Sequence, residues 1–73
     1  MYRRSVGLRP REAGAHLNLG ALLHLRGKLE EAEAEYAEAW RLRPGDPSTR
    51  TNIQRLHNVM RKRNITITRL ADL

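Results

Sequence analysis

Apolar residues recur every three or four positions through the middle of the chain, and this recurrence predicts helices. Leu29, Ala32, Tyr36 and Ala39 follow one another at the spacing that places side chains on one face of a helix. The same pattern, read together with helix start and stop signals, predicts helices over about residues 1–7, 12–26, 29–43 and 47–62. The sequence therefore predicts an all-α fold.

Particular residues mark where these helices begin and end. Gly27 falls at the end of the second predicted helix, where a left-handed residue is needed and glycine takes that conformation without strain. Asp46 followed by Pro47 offers an N-cap and then a proline at the first helical position, a combination typical of a helix start. We therefore expect short connections between consecutive helices.

The chain also has an internal period, since Pro10 and Pro44 lie 34 residues apart. Paired helices with this period are typical of the tetratricopeptide (TPR) repeat, which the chain resembles. Gly20 lies in mid-helix, where glycine costs about 1 kcal/mol relative to alanine. We expect it to permit the close approach of a second helix at Ala32. The positions that match the TPR pattern are Leu19, Gly20, Leu23, Gly27, Ala32, Tyr36, Ala39 and Pro44.

The resemblance implies a fragment of a helical-hairpin solenoid that ends in a capping helix. We predict that residues 1–10 are the second helix of a preceding TPR and that 11–46 form a complete helix pair. Residues 47–63 are predicted to be the C-terminal capping helix, and 64–73 a loose tail. Because solenoid repeats bury their apolar faces on their neighbours, preceding repeats of the same parent chain are one expected partner.

In a TPR array the first helix of each repeat lines a concave groove, so the resemblance also implies a peptide-binding face. Asn18 and Asn52 occupy equivalent positions in successive units, and a carboxamide can both donate to and accept from the backbone of an extended peptide. Simple hydration of these polar residues is the alternative interpretation. A carboxylate clamp for chaperone carboxyl termini would need basic and amide residues at positions 17 and 21, which are apolar. The predicted groove residues are Leu17, Asn18, Ala21, His24, Leu25, Asn52 and Arg55.

The remaining motifs do not favour an enzyme. His16, His24 and His57 lack a metal-binding or nucleophile motif around them, and His16 stands where the TPR family has a large aromatic, so we expect packing. We predict no catalytic residue, metal or cofactor in this segment. The chain has no cysteine, which excludes disulfides and cysteine ligands. Asn64-Ile65-Thr66 is an N-glycosylation sequon.

Charge is distributed unevenly around the net value of +6. Residues 30–38 carry five glutamates, whereas residues 47–73 carry six basic residues and one acid. Such a basic end could contact nucleic-acid phosphates or acidic lipids. No aromatic residue lies there to stack on bases, so a solvated helix end is the favoured interpretation. The longest apolar run, residues 21–23, is too short to cross a bilayer.

Beyond the TPR pattern, residues 18–62 resemble the carboxyl-terminal end of the TMTC family of transmembrane and TPR-containing protein O-mannosyltransferases. Two features depart from that family: the ending from residue 61 to residue 73, and Trp40 in place of a leucine. The resemblance rests on Asn18, Leu19, Gly20, Ala21, Leu23, His24, Leu25, Gly27, Leu29, Ala32, Glu33, Ala34, Tyr36, Ala39, Leu42, Pro44, Asp46, Thr49, Asn52, Leu56, Asn58, Met60 and Lys62.

Members of this family join a membrane half, which transfers mannose from a dolichyl phosphate donor, to a TPR half in the lumen of the endoplasmic reticulum; their acceptors include cadherin domains. The resemblance implies that this segment is a non-catalytic lumenal end that helps to engage acceptor proteins. The alternative is a generic TPR scaffold or co-chaperone-like module without a link to glycosylation, for which a cytoplasmic location is expected. Contact of the basic tail with nucleic acid or lipid is the third and least favoured possibility.

Overall fold

A computed structural model of the chain describes residues 10–70, and three helices account for most of that range. Helix α1 spans Pro10–Leu25, α2 spans Leu29–Leu42 and α3 spans Pro47–Lys62. No strand occurs between residues 10 and 70. The prediction of an all-α fold is confirmed. The helix predicted over residues 1–7 lies outside the described residues.

The helix boundaries follow the local signals in the sequence. Gly27 has a φ of 80°, the left-handed conformation expected of a residue that ends α1. At the start of α3, the carboxylate of Asp46 accepts hydrogen bonds from the backbone N–H of Thr49 at 3.0 Å and from its hydroxyl at 2.9 Å. Pro47 occupies the first turn, where its missing N–H costs nothing. The predicted bounds therefore differ from the observed ones by only one or two residues.

Helices α1 and α2 form a tightly packed hairpin at Gly20. A Cβ atom at this position would lie 2.6 Å from ring carbons Cδ1 and Cε1 of Tyr36 and 3.3 Å from the carbonyl oxygen of Ala32. Ala32 and Tyr36 are themselves buried. The expected approach of the two helices at Gly20 and Ala32 is therefore present, and the flat ring of Tyr36 lies in the space that glycine leaves open.

Helix α3 packs against α2 through a row of buried apolar residues. Ile53, Leu56 and Met60 recur at intervals of three and four residues and are fully buried. They join a core cluster with residues of α2. Gln54, which stands where the repeat would place glycine, is exposed, so no helix approaches α3 there within the described part of the chain. The remaining members of the core cluster are Leu29, Ala32, Tyr36 and Leu70.

The prediction of a loose tail is wrong for residues 65–70. Leu70 is 7% exposed and belongs to the core cluster, and Ile65 and Ile67 pack against that cluster. The buried carboxylate of Glu33 accepts hydrogen bonds from the backbone N–H groups of Arg69 and Leu70 at 3.0 and 3.1 Å. The partner of this segment is a side chain of α2 that lies 35 to 37 positions earlier in the chain, and no local pattern in residues 65–70 indicates it. Residues 71–73 lie outside the described range.

Candidate functional site

The predicted groove residues on α1 differ in exposure. Asn18 is exposed and Leu25 is 85% exposed, whereas Ala21 and His24 are half-buried. Leu17 is also half-buried and packs against the core cluster, so only part of its side chain is available to a ligand. The apolar groove residues of α1 are therefore open at the carboxyl-terminal end of the helix and partly covered at Leu17.

One face of α1 combines an amide with apolar surface. Asn18, Ala21 and Leu25 follow one another at intervals of three and four residues, which places them on the same side of the helix. The buried residues Ala13 and Gly20 lie on another side, which packs into the protein. This arrangement leaves the carboxamide of Asn18 accessible beside the exposed Leu25. The carboxamide can donate and accept hydrogen bonds, while the leucine can cover apolar atoms of a bound chain.

The groove residues predicted on α3 have different surroundings from one another. Asn52 is half-buried and lines a shallow cavity of about 300 Å³ whose other lining residues, Pro47, Ser48 and Thr51, also belong to α3. Asn18 is not part of this lining. The alignment of the two amides in one groove therefore remains a prediction.

Arg55 places a positive charge close to the hairpin core. Its side chain is exposed, and its guanidinium interacts electrostatically with the phenol of Tyr36. Burial raises the pKa of the Tyr36 phenol, and the Arg55 charge acts in the opposite direction. The ring that packs on Gly20 thus carries a phenol within electrostatic range of a residue predicted for the groove.

The histidines lie in separate environments. Nδ1 of His16 is 2.7 Å from Oε1 of Glu35, which joins α1 to α2 across the hairpin. The side chain of His16 is 36% exposed. Packing, which the sequence predicts for it, is therefore only part of its role, and the contact with Glu35 is the other part. His57 is 2% exposed, and its Nε2 has no hydrogen-bond partner within the described range. No group of three His, Asp or Glu residues between positions 10 and 70 is arranged to hold a metal ion.

Two buried polar residues, Glu33 and His57, were missed as notable positions by the sequence analysis. His57 follows Ile53 by four residues and precedes Met60 by three, so the helical period could have placed it in the core. Glu33 is 1% exposed, and it follows Leu29 by four residues and precedes Tyr36 by three, so the same period could have placed it on the buried face. No local signal indicates the partners that its carboxylate finds there.

The basic end of α3 is open to solvent. Arg61, Lys62 and Arg63 are all exposed. The Arg61 charge also contributes to the lowered pKa of His57, although burial of the ring is the larger cause and the charge of Glu33 opposes both. Within the part of the chain that the structure describes, no helix has the length and apolar character needed to cross a bilayer.

Known proteins similar to this chain include two human transferases. The chain is 44% identical to human protein O-mannosyl-transferase TMTC2 over 64 residues, which is 88% of this chain and 8% of that protein. It is 33% identical to human protein O-mannosyl-transferase TMTC1 over 61 residues, 84% of this chain and 7% of that protein. No family model matches the chain, and no solved structure does so either. The predicted resemblance to the TMTC proteins is thus confirmed over most of this chain, which spans only about 8% of the length of those relatives.

Proposed function

We propose that this chain is a protein-binding TPR segment at the lumenal carboxyl-terminal end of a TMTC-like membrane protein, where it helps to engage the acceptors of O-mannosylation. The observation that carries the proposal is the open face of α1, on which the exposed Asn18 lies beside apolar surface that ends at the 85% exposed Leu25. Similarity to two protein O-mannosyl-transferases supports the link to glycosylation.

In this proposal the groove holds an extended polypeptide by its main chain. The carboxamides of Asn18 and Asn52 each offer a donor and an acceptor to backbone groups of the ligand. Apolar atoms of Ala21 and Leu25 cover the ligand's side chains, and Arg55 provides a charge at the α3 side. Because main-chain hydrogen bonds do not depend on side-chain identity, recognition tolerates many sequences.

The chemistry of mannose transfer is assigned to a part of the parent protein that this chain does not cover. The described residues contribute binding surface, and we propose that the parent transfers mannose from a dolichyl phosphate donor in its membrane half. The segment then acts by raising the local concentration of the acceptor near that half.

The decisive experiment measures acceptor binding by the parent protein with alanine at both Asn18 and Asn52. An unfolded cadherin domain serves as the probe. Since each lost hydrogen bond is worth about 1 kcal/mol, the double variant should bind roughly tenfold or more weakly. Asn58→Ala is the matched control, because Asn58 is an exposed asparagine of α3 outside the predicted groove. Unchanged affinity of the double variant would remove the proposal.

The sequon at Asn64 offers a test of the lumenal location. The similarity to the two transferases supports the endoplasmic reticulum in general, and the lumenal side is our proposal. Asn64 and Thr66 are both exposed, directly after α3, and Asn64 has a φ of 60°. We expect an N-linked glycan there that a glycosidase removes, that Asn64→Gln abolishes and that Thr66→Ser retains. A parent protein without a glycan at this position would argue against exposure to the lumen.

A second candidate function rests on the exposed basic run at the end of α3. Arg61, Lys62 and Arg63 could contact phosphate groups of nucleic acid or acidic lipid. Such binding should fall steeply with added salt and disappear when the three charges are neutralised. Binding that is insensitive to salt would exclude this candidate and leave the protein-binding segment.

A further inference from the structure

Glu33 is a buried carboxylate of α2, and among residues 10–70 the hydrogen-bond partners of its side chain lie in the tail. Its Oε2 accepts from the backbone N–H groups of Arg69 at 3.0 Å and of Leu70 at 3.1 Å. Its Oε1 lies 3.3 Å from the hydroxyl of Thr68, which donates to it. A buried carboxylate is costly unless its lone pairs are satisfied. These three partners, 35 to 37 residues away in sequence, therefore form an organised site rather than a chance contact.

Apolar anchors hold the same segment on either side of the hydrogen bonds. Leu70 is 7% exposed and belongs to the core cluster. Ile65 lines a cavity beside the connection between α1 and α2, together with Lys28 and Leu29. Ile67 packs against the cluster between them. The segment therefore runs along the amino-terminal half of α2, from the hairpin connection to Glu33.

The residues of the segment are recognised in two ways. Glu33 contacts consecutive main-chain N–H groups, which any residue except proline offers. Leu70 supplies the side-chain anchor, since its burial in the core requires an apolar residue at that place. The chain bends at residues 69 and 70, and this bend allows two consecutive N–H groups to converge on one carboxylate oxygen.

We propose that residues 65–70 act as a strap, bound within the same molecule to a main-chain-recognition site centred on Glu33, which closes the α2–α3 face against a further helix. In a solenoid, each hairpin buries its apolar face on a neighbour, so a face that is already covered is closed to such a neighbour. The strap supplies apolar side chains to the cluster formed by α2 and α3. Within the described residues, α3 and the strap thus cover this side of α2 together. This inference does not rest on the proposed function.

The test is hydrogen exchange of individual backbone amides in the full chain. We expect the Arg69 and Leu70 amides of the unaltered chain to be protected. In Glu33→Ala, which removes both acceptor oxygens, these two amides should exchange at least about tenfold faster, because their hydrogen bonds are lost. Glu31→Ala is the matched control, since Glu31 is an exposed glutamate two positions away in the same helix. Core amides such as those of Tyr36 and Ile53 should change much less.

Other outcomes would overturn the proposal. Unprotected Arg69 and Leu70 amides in the unaltered chain would show that the strap does not bind, and this result needs no variant to fold. Equal exchange in Glu33→Ala and Glu31→Ala would remove Glu33 from the site. Protection that falls on dilution would show that a second copy supplies the strap.

A Leu70→Ala variant tests the apolar anchor of the strap. It should also lose tail protection and bind more of a dye for exposed apolar surface. An unchanged dye signal would mean that the strap covers no such face.

Discussion

At the scale of single residues, the hairpin depends on Gly20 having no side chain. The Tyr36 ring lies where a Cβ would be, and its own burial leaves it little freedom to move away. Glycine therefore remains at a helical position that would otherwise favour alanine. Local preference and tertiary packing oppose each other here, and packing decides.

Replacing Gly20 by alanine should destabilise the fold by about 1–3 kcal/mol through overpacking, despite the higher helix propensity of alanine. Gly14→Ala is the control in the same helix, because an added Cβ there meets no atom within 4 Å. That variant should be neutral or stabilising by up to about 1 kcal/mol. Urea unfolding monitored by circular dichroism measures both. Equal stability of the two variants would contradict the packing that we describe.

At the scale of elements, α3 begins where Asp46 satisfies its free backbone groups. The carboxylate accepts hydrogen bonds from the backbone N–H and from the hydroxyl of Thr49, a buried residue. These hydrogen bonds, the backbone one first, hold the pKa of the Asp46 carboxyl below its ordinary value of 3.8. The cap is therefore most effective when Asp46 is ionised.

Asp46→Ala should cost about 0.5–2 kcal/mol of stability, because the N-cap acceptor is lost. Asp46→Asn should retain most of it, since the amide oxygen can still accept. The contribution of the charge is fully present above pH 3.8 and is lost as the pH falls through the lowered pKa of the folded state. Unfolding of both variants and of Ser48→Ala, a control in the same turn, measures the effect. A loss for Asp46→Asn as large as that for Asp46→Ala would show that acceptance by an oxygen is not enough.

At the scale of the whole molecule, charges from two helices act on the buried ring of His57. Glu33 belongs to α2, whereas Arg61 belongs to α3, the helix that also carries His57. Burial lowers the pKa of the His57 ring below 6.5, with Arg61 acting in the same direction and Glu33 against it. The folded chain therefore favours the neutral ring.

Stability should fall as the pH decreases below about 6.5, because the unfolded chain then binds a proton that the folded His57 resists. The loss should continue until the pH reaches the lowered pKa of the folded state. His57→Gln removes this titration, so its stability should depend less on pH through that window. Urea unfolding at a series of pH values measures the slope. Equal slopes for the variant and the unaltered chain would mean that His57 does not carry the effect.

The sequence alone determined the helices and their ends, because local chemistry specifies them. A left-handed glycine at Gly27 and the cap at Asp46 each act within a few residues. The close approach of the hairpin at Gly20 was expected from the TPR pattern, although it is a contact between two helices. The site residues on α1 could likewise be placed on one face from their spacing, although their relation to Asn52 remains a prediction.

Only the tertiary structure decided the binding of the tail and the partners of Glu33. The hydrogen bonds from Arg69 and Leu70 to Glu33 join residues 36 and 37 positions apart, beyond the reach of any local pattern. The helical period places Glu33 on the buried face of α2, but it does not show what the carboxylate binds there. Its role depends on the direction in which the chain leaves α3, and long-range packing sets that direction.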